Sequence, residues 1–272
     1  MTERSKPPVC MSIAGVDPSG GAGIYADIAT FVAFGCYPTA VISSITFQNT
    51  TNVFGAEALS ATSVRDQAEP VFEDLPVAAV KTGMLPTKEV IEEVASILAE
   101  NQIKRLVVDP VVRSTSGFDL IDNAALRSLV ERLFPCALIV TPNVPETERI
   151  TGVAIEDCED VIRAAEVMRG FGVSNVLIKG GHLKYAGKEN EMATDFLFIE
   201  DEMTKIEAPF IHTSATHGTG CVLAAAITAG LALGNELENA VKTAKSFVNE
   251  GIRTAPMLGK GNSPINIRPI SQ

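Results

Sequence analysis

Val9-Cys10-Met11-Ser12-Ile13-Ala14-Gly15-Val16-Asp17-Pro18-Ser19-Gly20-Gly21-Ala22-Gly23 passes from an apolar run into a glycine-rich turn and on into a helical pattern over residues 22–34. An apolar run without alternation reads as a strand buried on both faces, and a tight turn into a helix is the first half of a βαβ unit. Outward from this stretch the alternation continues. Runs at 39–45, 78–80, 106–108, 138–140 and 176–178 predict further buried strands, and helices are expected at 87–101, 122–133, 157–170, 221–233 and 237–252. The clearest helix is 87–101, where Thr87 is placed to cap and Val90, Ile91, Val94, Ile97 and Leu98 share one face. Segments 194–199 and 203–207, joined through Glu200-Asp201-Glu202, predict an antiparallel hairpin at the edge of an otherwise parallel sheet. No linker, low-complexity run or fixed-period repeat divides the chain, so one α/β domain over residues 1–272 is expected.

Composition narrows the function classes. The chain of 272 residues is 46% hydrophobic, enough for a large core, and its formal charge of −11 argues against nucleic acid or an anionic membrane as partner. A local phosphate pocket built from backbone dipoles and a lysine is compatible with that charge. Cysteines 10, 36, 136, 158 and 221 form no CxxC pair and no even framework, and three histidines make no zinc set, so a reducing, cytoplasmic compartment is expected. Residues 1–8 lack the apolar run of a signal peptide, and glycine or polar residues interrupt every stretch of near-transmembrane length.

Polar groups gather where the strands end: Asp17 after the first, Gln48-Asn49 after the second, Asp109-Pro110 after the fourth and Thr141-Pro142-Asn143 after the fifth. In an open α/β sheet these ends share one crevice. Thr216-His217-Gly218-Thr219-Gly220-Cys221 opens the apolar segment 222–233, so Gly218, Thr219 and Gly220 would present free N–H groups to a phosphate. Cys221 would occupy the first turn, where the helix dipole favours a thiolate; a core helix with Cys221 as a small buried hydrophobe is the plainer reading. Gly21-Ala22-Gly23-Ile24-Tyr25-Ala26 matches GxGxxA, but no acidic residue ends the next strand, which argues against a dinucleotide. Gly259-Lys260-Gly261 lacks P-loop spacing.

Most of the remaining candidates have two readings. Asp17 and Asp27 either orient a polar group of a small ligand or cap and solvate. Gln48 offers an amide that reads a heterocycle in two directions, or satisfies turn backbone. Gly83 permits close approach and Met84 supplies a soft apolar wall, though Met84 alone would be core. Asp109 and Glu146 are hard-oxygen donors suited to Mg²⁺. Lys179, after a buried strand, is placed to meet phosphoryl oxygens, or to be a solvated strand-end lysine. Glycines in the turn 19–23 could form a nest for a substrate phosphate, with Gly21 at its centre.

These motifs, with Lys81-Thr82-Gly83-Met84-Leu85, Val108-Asp109-Pro110-Val111, Thr141-Pro142-Asn143-Val144-Pro145-Glu146 and Ile178-Lys179-Gly180-Gly181-His182 in order over residues 9–267, resemble the hydroxymethylpyrimidine and hydroxymethylpyrimidine-phosphate kinases of the ribokinase-like superfamily. The resemblance implies a three-layer αβα sandwich around a mostly parallel sheet, usually as a homodimer. It also implies ATP- and Mg²⁺-dependent phosphorylation of a pyrimidine alcohol, then of its monophosphate, for thiamine biosynthesis. Carried onto this chain, Gln48 and Asp27 with Gly15 and Met84 would line the pyrimidine pocket. Gly218, Thr219 and Gly220 would form the anion hole, and Lys179, Thr213, Asp109 and Glu146 would serve the nucleotide and Mg²⁺. Cys221 would stand where sugar kinases place an aspartate base. Val16, Tyr25, Ala29, Phe47 and Val112 depart from the family's usual Ser, Gln, Lys, small residue and Met, and 258–267 lacks its histidines. Phe47 would narrow the pocket. Pyridoxine and pyridoxal kinases share most of these motifs and are the alternative; a non-catalytic vitamer-binding protein on the same fold is the alternative of another class.

Overall fold

The computed structural model describes residues 6–112, 120–181 and 192–268; His182 lies outside them. Nine strands form one sheet: β1 (Val9–Val16), β2 (Tyr37–Gln48), β3 (Val53–Ala58), β4 (Val77–Thr82), β5 (Leu106–Val108), β6 (Ile139–Val140), β7 (Asn175–Ile178), β8 (Met192–Ile199) and β9 (Glu202–Pro209). Their order is β3-β2-β1-β4-β5-β6-β7-β8-β9. The six strands from β2 to β7 run parallel, whereas β3, β8 and β9 are antiparallel additions at the two edges.

Helices cover both faces, as three layers require. Alternate residues of each short central strand face opposite sides. Leu106, Val108, Val140, Val176 and Ile178 join the cluster packed by α2 (Ala61–Asp74), α3 (Lys88–Glu100), α4 (Asn123–Ser128), α5 (Val144–Thr151) and α6 (Cys158–Gly170). Val107, Ile139 and Leu177 face α1 (Gly23–Ala33), α7 (Thr219–Ala232) and α8 (Leu237–Arg253). The double-sided burial explains why these strands read as unbroken apolar runs. The alternation is also why β5 and β6 suffice at three and two residues: every side chain in them is buried.

The expected strands, the edge hairpin and α1, α3, α6, α7 and α8 are all present, with shifted ends. Three elements were not anticipated. The edge strand β3 is largely exposed and contains Gly55 and Glu57, so it carries no buried run. Pro70 inside α2 disguised a helix that Ser60 caps, and α5 is short, held by a capping box between Asn143 and Glu146 and ended by Gly152 in the left-handed region. The helix expected at 122–133 is α4 continued by a π-helical turn, Leu129–Leu133, and a 3-10 turn, Phe134–Cys136.

Candidate active site

The carboxyl ends of β1, β4, β5, β6 and β7 deliver the motifs to one edge of the sheet. Asp109, directly after β5, is nearly fully buried, and its Oδ1 accepts from Lys179 Nζ at 3.0 Å and from Thr141 Oγ1 at 3.4 Å. Lys179, directly after β7, also lies 3.9 Å from Glu146 Oε2. Glu146 has a double duty, because Oε2 also accepts from the Asn143 N–H at 2.8 Å and thereby caps its own helix. Burial works against the Lys179 charge, but the Asp109 and Glu146 carboxylates outweigh it and hold the ammonium above its ordinary value. Burial pushes Glu146 up to about 7, with Asp109 adding to the rise and Lys179 opposing it. Two carboxylates share one ammonium, so the cluster is short of positive charge. A hard divalent cation held by one or two carboxylates fits that deficit.

The start of α7 closes over this cluster. Gly218 is the N-cap, with φ of 80°. A Cβ there would overlap the Gly21 carbonyl oxygen, which makes glycine obligatory and locks the α7 start onto the β1–α1 turn. A Cβ on Gly220 would lie 3.2 Å from Lys179 Nζ and 3.8 Å from Asp109 Oδ2. The helix start, the lysine and the carboxylates therefore form one site. Thr219 Oγ1 donates to the Thr216 carbonyl, and Thr213, in the preceding loop, accepts from the Ala215 N–H at 3.0 Å.

Cys221 stands in this first turn, but the expected thiolate does not follow. Burial pushes its thiol up to about 11; Lys81 and the Gly23 N–H act in the thiolate's favour, and Asp109 and Asp27 act against it. Desolvation outweighs the dipole here even though Cys221 keeps part of its surface exposed.

The candidate pyrimidine residues divide. Gly15, Ser44 and Met84 come together, since a Cβ on Gly15 would lie 2.6 Å from Ser44 Oγ and 3.5 Å from Met84 Sδ. Gln48, at the end of β2, is half-buried, while Asn49 is spent on its turn and accepts from Thr51 and Asn52. Asp17 organises the turn. Its carboxylate accepts from Ser19 N–H and Oγ–H, from Ala22 N–H and from His217 Nε2 at 2.7 Å. Although burial opposes it, these bonds from His217 and Ser19 hold Asp17 below the ordinary carboxylate value. The same bonds use the Ser19 and Ala22 N–H groups of the turn, the Gly20 N–H donates to the Asp17 carbonyl, and Gly21 lies against the His217 ring, where a Cβ would collide with it. Three of the turn's N–H groups are thus engaged within the protein. Phe47 does not narrow the pocket: it is half-exposed and lies against Gly55 of β3, whereas Ser44 and Thr46 turn the other way, toward Met84 and the Val16 carbonyl.

Asp27 is fully buried, paired with Lys81 Nζ at 2.8 Å and accepting from Ser12 Oγ at 2.5 Å. Its second oxygen has no hydrogen-bond partner. Burial pushes the Asp27 carboxyl up and Lys81 pulls it back; Lys81, against its own burial, is held charged by Asp27. Lys81 and His217 were missed as participants. The signal for Lys81 was available, since a lysine after Val77-Ala78-Ala79-Val80 ends a buried strand and demands a partner. Among the described residues no cluster of three or more His, Cys, Asp or Glu side chains is arranged to hold a metal. No helix among them is long and apolar enough to cross a membrane.

Comparison with known proteins gives this site a family. The model of the phosphomethylpyrimidine kinase family matches residues 17–266. The hydroxymethylpyrimidine/phosphomethylpyrimidine kinase of Rhizobium meliloti strain 1021 is 46% identical over 261 residues, covering 95% of this chain and 96% of that protein. The thiamine biosynthesis bifunctional protein ThiED of Geobacter sulfurreducens is 43% identical over 256 residues, covering 94% of this chain; the chain spans 51% of that longer protein. A crystal structure of phosphomethylpyrimidine kinase from Clostridium difficile 630 matches with a TM-score of 0.78 at 42% identity, covering 90% of this chain and 99% of that one. The ADP complex of Bacillus subtilis pyridoxal kinase matches with a TM-score of 0.86 at 33% identity, covering 96% and 97%. With the family model spanning most of its length and the same αβα layers, the chain belongs to the ribokinase-like hydroxymethylpyrimidine/phosphomethylpyrimidine kinase family of enzymes.

Proposed function

We propose that the chain transfers the γ-phosphoryl group of ATP to the hydroxymethyl group of 4-amino-5-hydroxymethyl-2-methylpyrimidine, and then phosphorylates the monophosphate to the diphosphate. The observation that carries this reading is the meeting of the α7 start with Lys179 and Asp109 at the strand ends, at 3.2 Å and 3.8 Å from a Gly220 Cβ. Phosphoryl transfer asks the protein mainly for position and charge stabilisation. The N–H groups of Gly218, Thr219 and Gly220 meet the migrating oxygens, the Lys179 ammonium adds a fixed charge, and Thr213 lies on the nucleotide side. Gly15, Met84 and Gln48 hold the ring. Asp109 and Glu146 would hold Mg²⁺, which when bound neutralises charge on the nucleotide phosphates. Cys221, in the fraction that is thiolate, takes the acceptor hydroxyl's proton and becomes the thiol. Because burial keeps this thiol protonated, the base function grows as pH rises toward about 11.

The purified chain, incubated with Mg²⁺, ATP and the pyrimidine alcohol, is expected to yield mono- and diphosphate in sequence; formation of neither removes the assignment. The likeness to Bacillus subtilis pyridoxal kinase favours a second reading, pyridoxal phosphorylation. Side-by-side kcat/KM values for the two alcohols decide between them. Substrate binding without ADP production would mark a vitamer-binding protein. A homodimer belongs to the same proposal, supported by exposed Tyr37, Ile45, Phe47 and Phe54 on the β2–β3 edge, and light scattering tests it. Five free cysteines support the cytoplasm as its compartment.

A further inference from the structure

The main chain around Lys179 is gripped from two sides, and only one grip comes from the sheet. The Lys179 N–H donates to the Pro142 carbonyl at 2.8 Å, and Lys179 bridges Asn143 in parallel register. On the other side the β7–β8 ladder has already stopped, its last pair being Ile178 with Phe196. The next free donor, the Gly180 N–H, finds no strand carbonyl. It donates instead to Asp195 Oδ1 at 3.0 Å, in a buried bond. The other oxygen of Asp195 accepts from Lys245 Nζ of α8 at 2.7 Å. Asp195 is 4% exposed, so both oxygens must be satisfied by the protein, and both are. A carboxylate inside an apolar strand is a costly way to end a ladder. What it accomplishes is to fix the peptide that follows Lys179 to a strand and a helix lying outside the site.

We propose that Asp195, anchored by Lys245, is a positioning residue for Lys179, holding the Lys179–Gly180 peptide so that the ammonium lands between Asp109 and Glu146. It touches neither nucleotide nor acceptor. The inference deepens the function proposed above and rests on the role given there to Lys179. Angular freedom at the Gly180 peptide swings the base of a long side chain, and displacement of a charge-stabilising group by about 1 Å costs on the order of 10²-fold in rate.

The test uses the full chain and measures kcat, KM for the pyrimidine and thermal midpoint for Lys179→Met, Asp195→Ala, Asp195→Asn, Lys245→Met and the double variant Lys179→Met/Asp195→Ala. Asp195→Ala is expected to lower kcat roughly 10- to 100-fold, with KM for the pyrimidine within about twofold of the parent. Asp195→Asn, whose amide oxygen still accepts from Gly180, restores most of that loss. On the Lys179→Met background, Asp195→Ala adds less than about twofold, because a positioning residue has nothing left to position. An Asp195→Ala kcat within twofold of the parent, while Lys179→Met is crippled, overturns the inference. So does an undiminished further loss in the double variant, which would mark general damage to the fold. Full activity of Lys179→Met would instead overturn the underlying role of Lys179. Should Asp195→Ala fail to fold, Lys245→Met carries the test: a kcat loss of roughly 3- to 10-fold at unchanged pyrimidine KM supports the anchor, and an unchanged kcat overturns it.

Discussion

Gly218→Ala probes the joint between the two loops that build the site. The residue has φ of 80°, where a side chain costs about 1–2 kcal/mol. The new Cβ would also lie 2.9 Å from the Gly21 carbonyl carbon and overlap its oxygen, so the β1–α1 turn and the α7 start must separate. Forced separation of packed backbone adds about 1–3 kcal/mol. The sum, on the order of 2–5 kcal/mol, corresponds to a fall in thermal midpoint of roughly 4–9 °C for a chain of this size. Separation carries the Gly218, Thr219 and Gly220 N–H groups away from the phosphoryl position, and loss of such donors costs about 10²-fold or more in kcat. The assay is ADP release under saturating ATP and pyrimidine, beside a thermal melt. A lowered midpoint with kcat within threefold of the parent would refute the anion-hole role while leaving the steric account intact. An unchanged midpoint would refute both.

Glu146, pushed up to about 7 by burial, binds in the folded chain a proton that the unfolded chain releases above 4.5. Stability therefore rises as pH falls from about 7 toward 4.5, and Glu146→Gln flattens that slope in urea midpoints across the window; an equal slope in both proteins refutes it. Over the same interval the parent should need more Mg²⁺ for half-maximal rate as pH falls below about 7, since a protonated carboxyl is a poor ligand. Cys221 should react slowly with iodoacetamide at neutral pH and faster toward about 11, and Cys221→Ala should lower kcat about 10²-fold; retained kcat would leave Cys221 a packing role. Lys81→Met strands Asp27 in the core and should destabilise by about 3–5 kcal/mol, with Lys81→Met/Asp27→Leu recovering part of it; strict additivity in denaturant titrations would show that the two are not a pair.

Local signals sufficed wherever a residue's structure depends on its own neighbours in the chain. Unbroken apolar runs located β1, β4, β5, β6 and β7, because a strand covered on both faces has no polar side to show. The glycines at 218 and 220, the strand-end acid Asp109 and the lysine at 179 declared themselves by type and position, and the structure places them in one cluster. Edge strand β3 and helix α2 were illegible because an exposed strand and a proline-bearing helix carry little burial pattern. The tertiary structure alone decided the electrostatic states and the division of labour among polar groups. Asp17, in the turn after β1, and Asp27, within α1, are close in the chain, yet one is paired with His217, 200 positions away, and the other with Lys81, 54 positions away. Cys221 has the helix start that favours a thiolate, yet partial desolvation and the Asp109 and Asp27 carboxylates oppose it. Hydrogen bonds and desolvation are set by what packs across the sheet, and the partners that impose them are brought there by the fold rather than by adjacency in the chain.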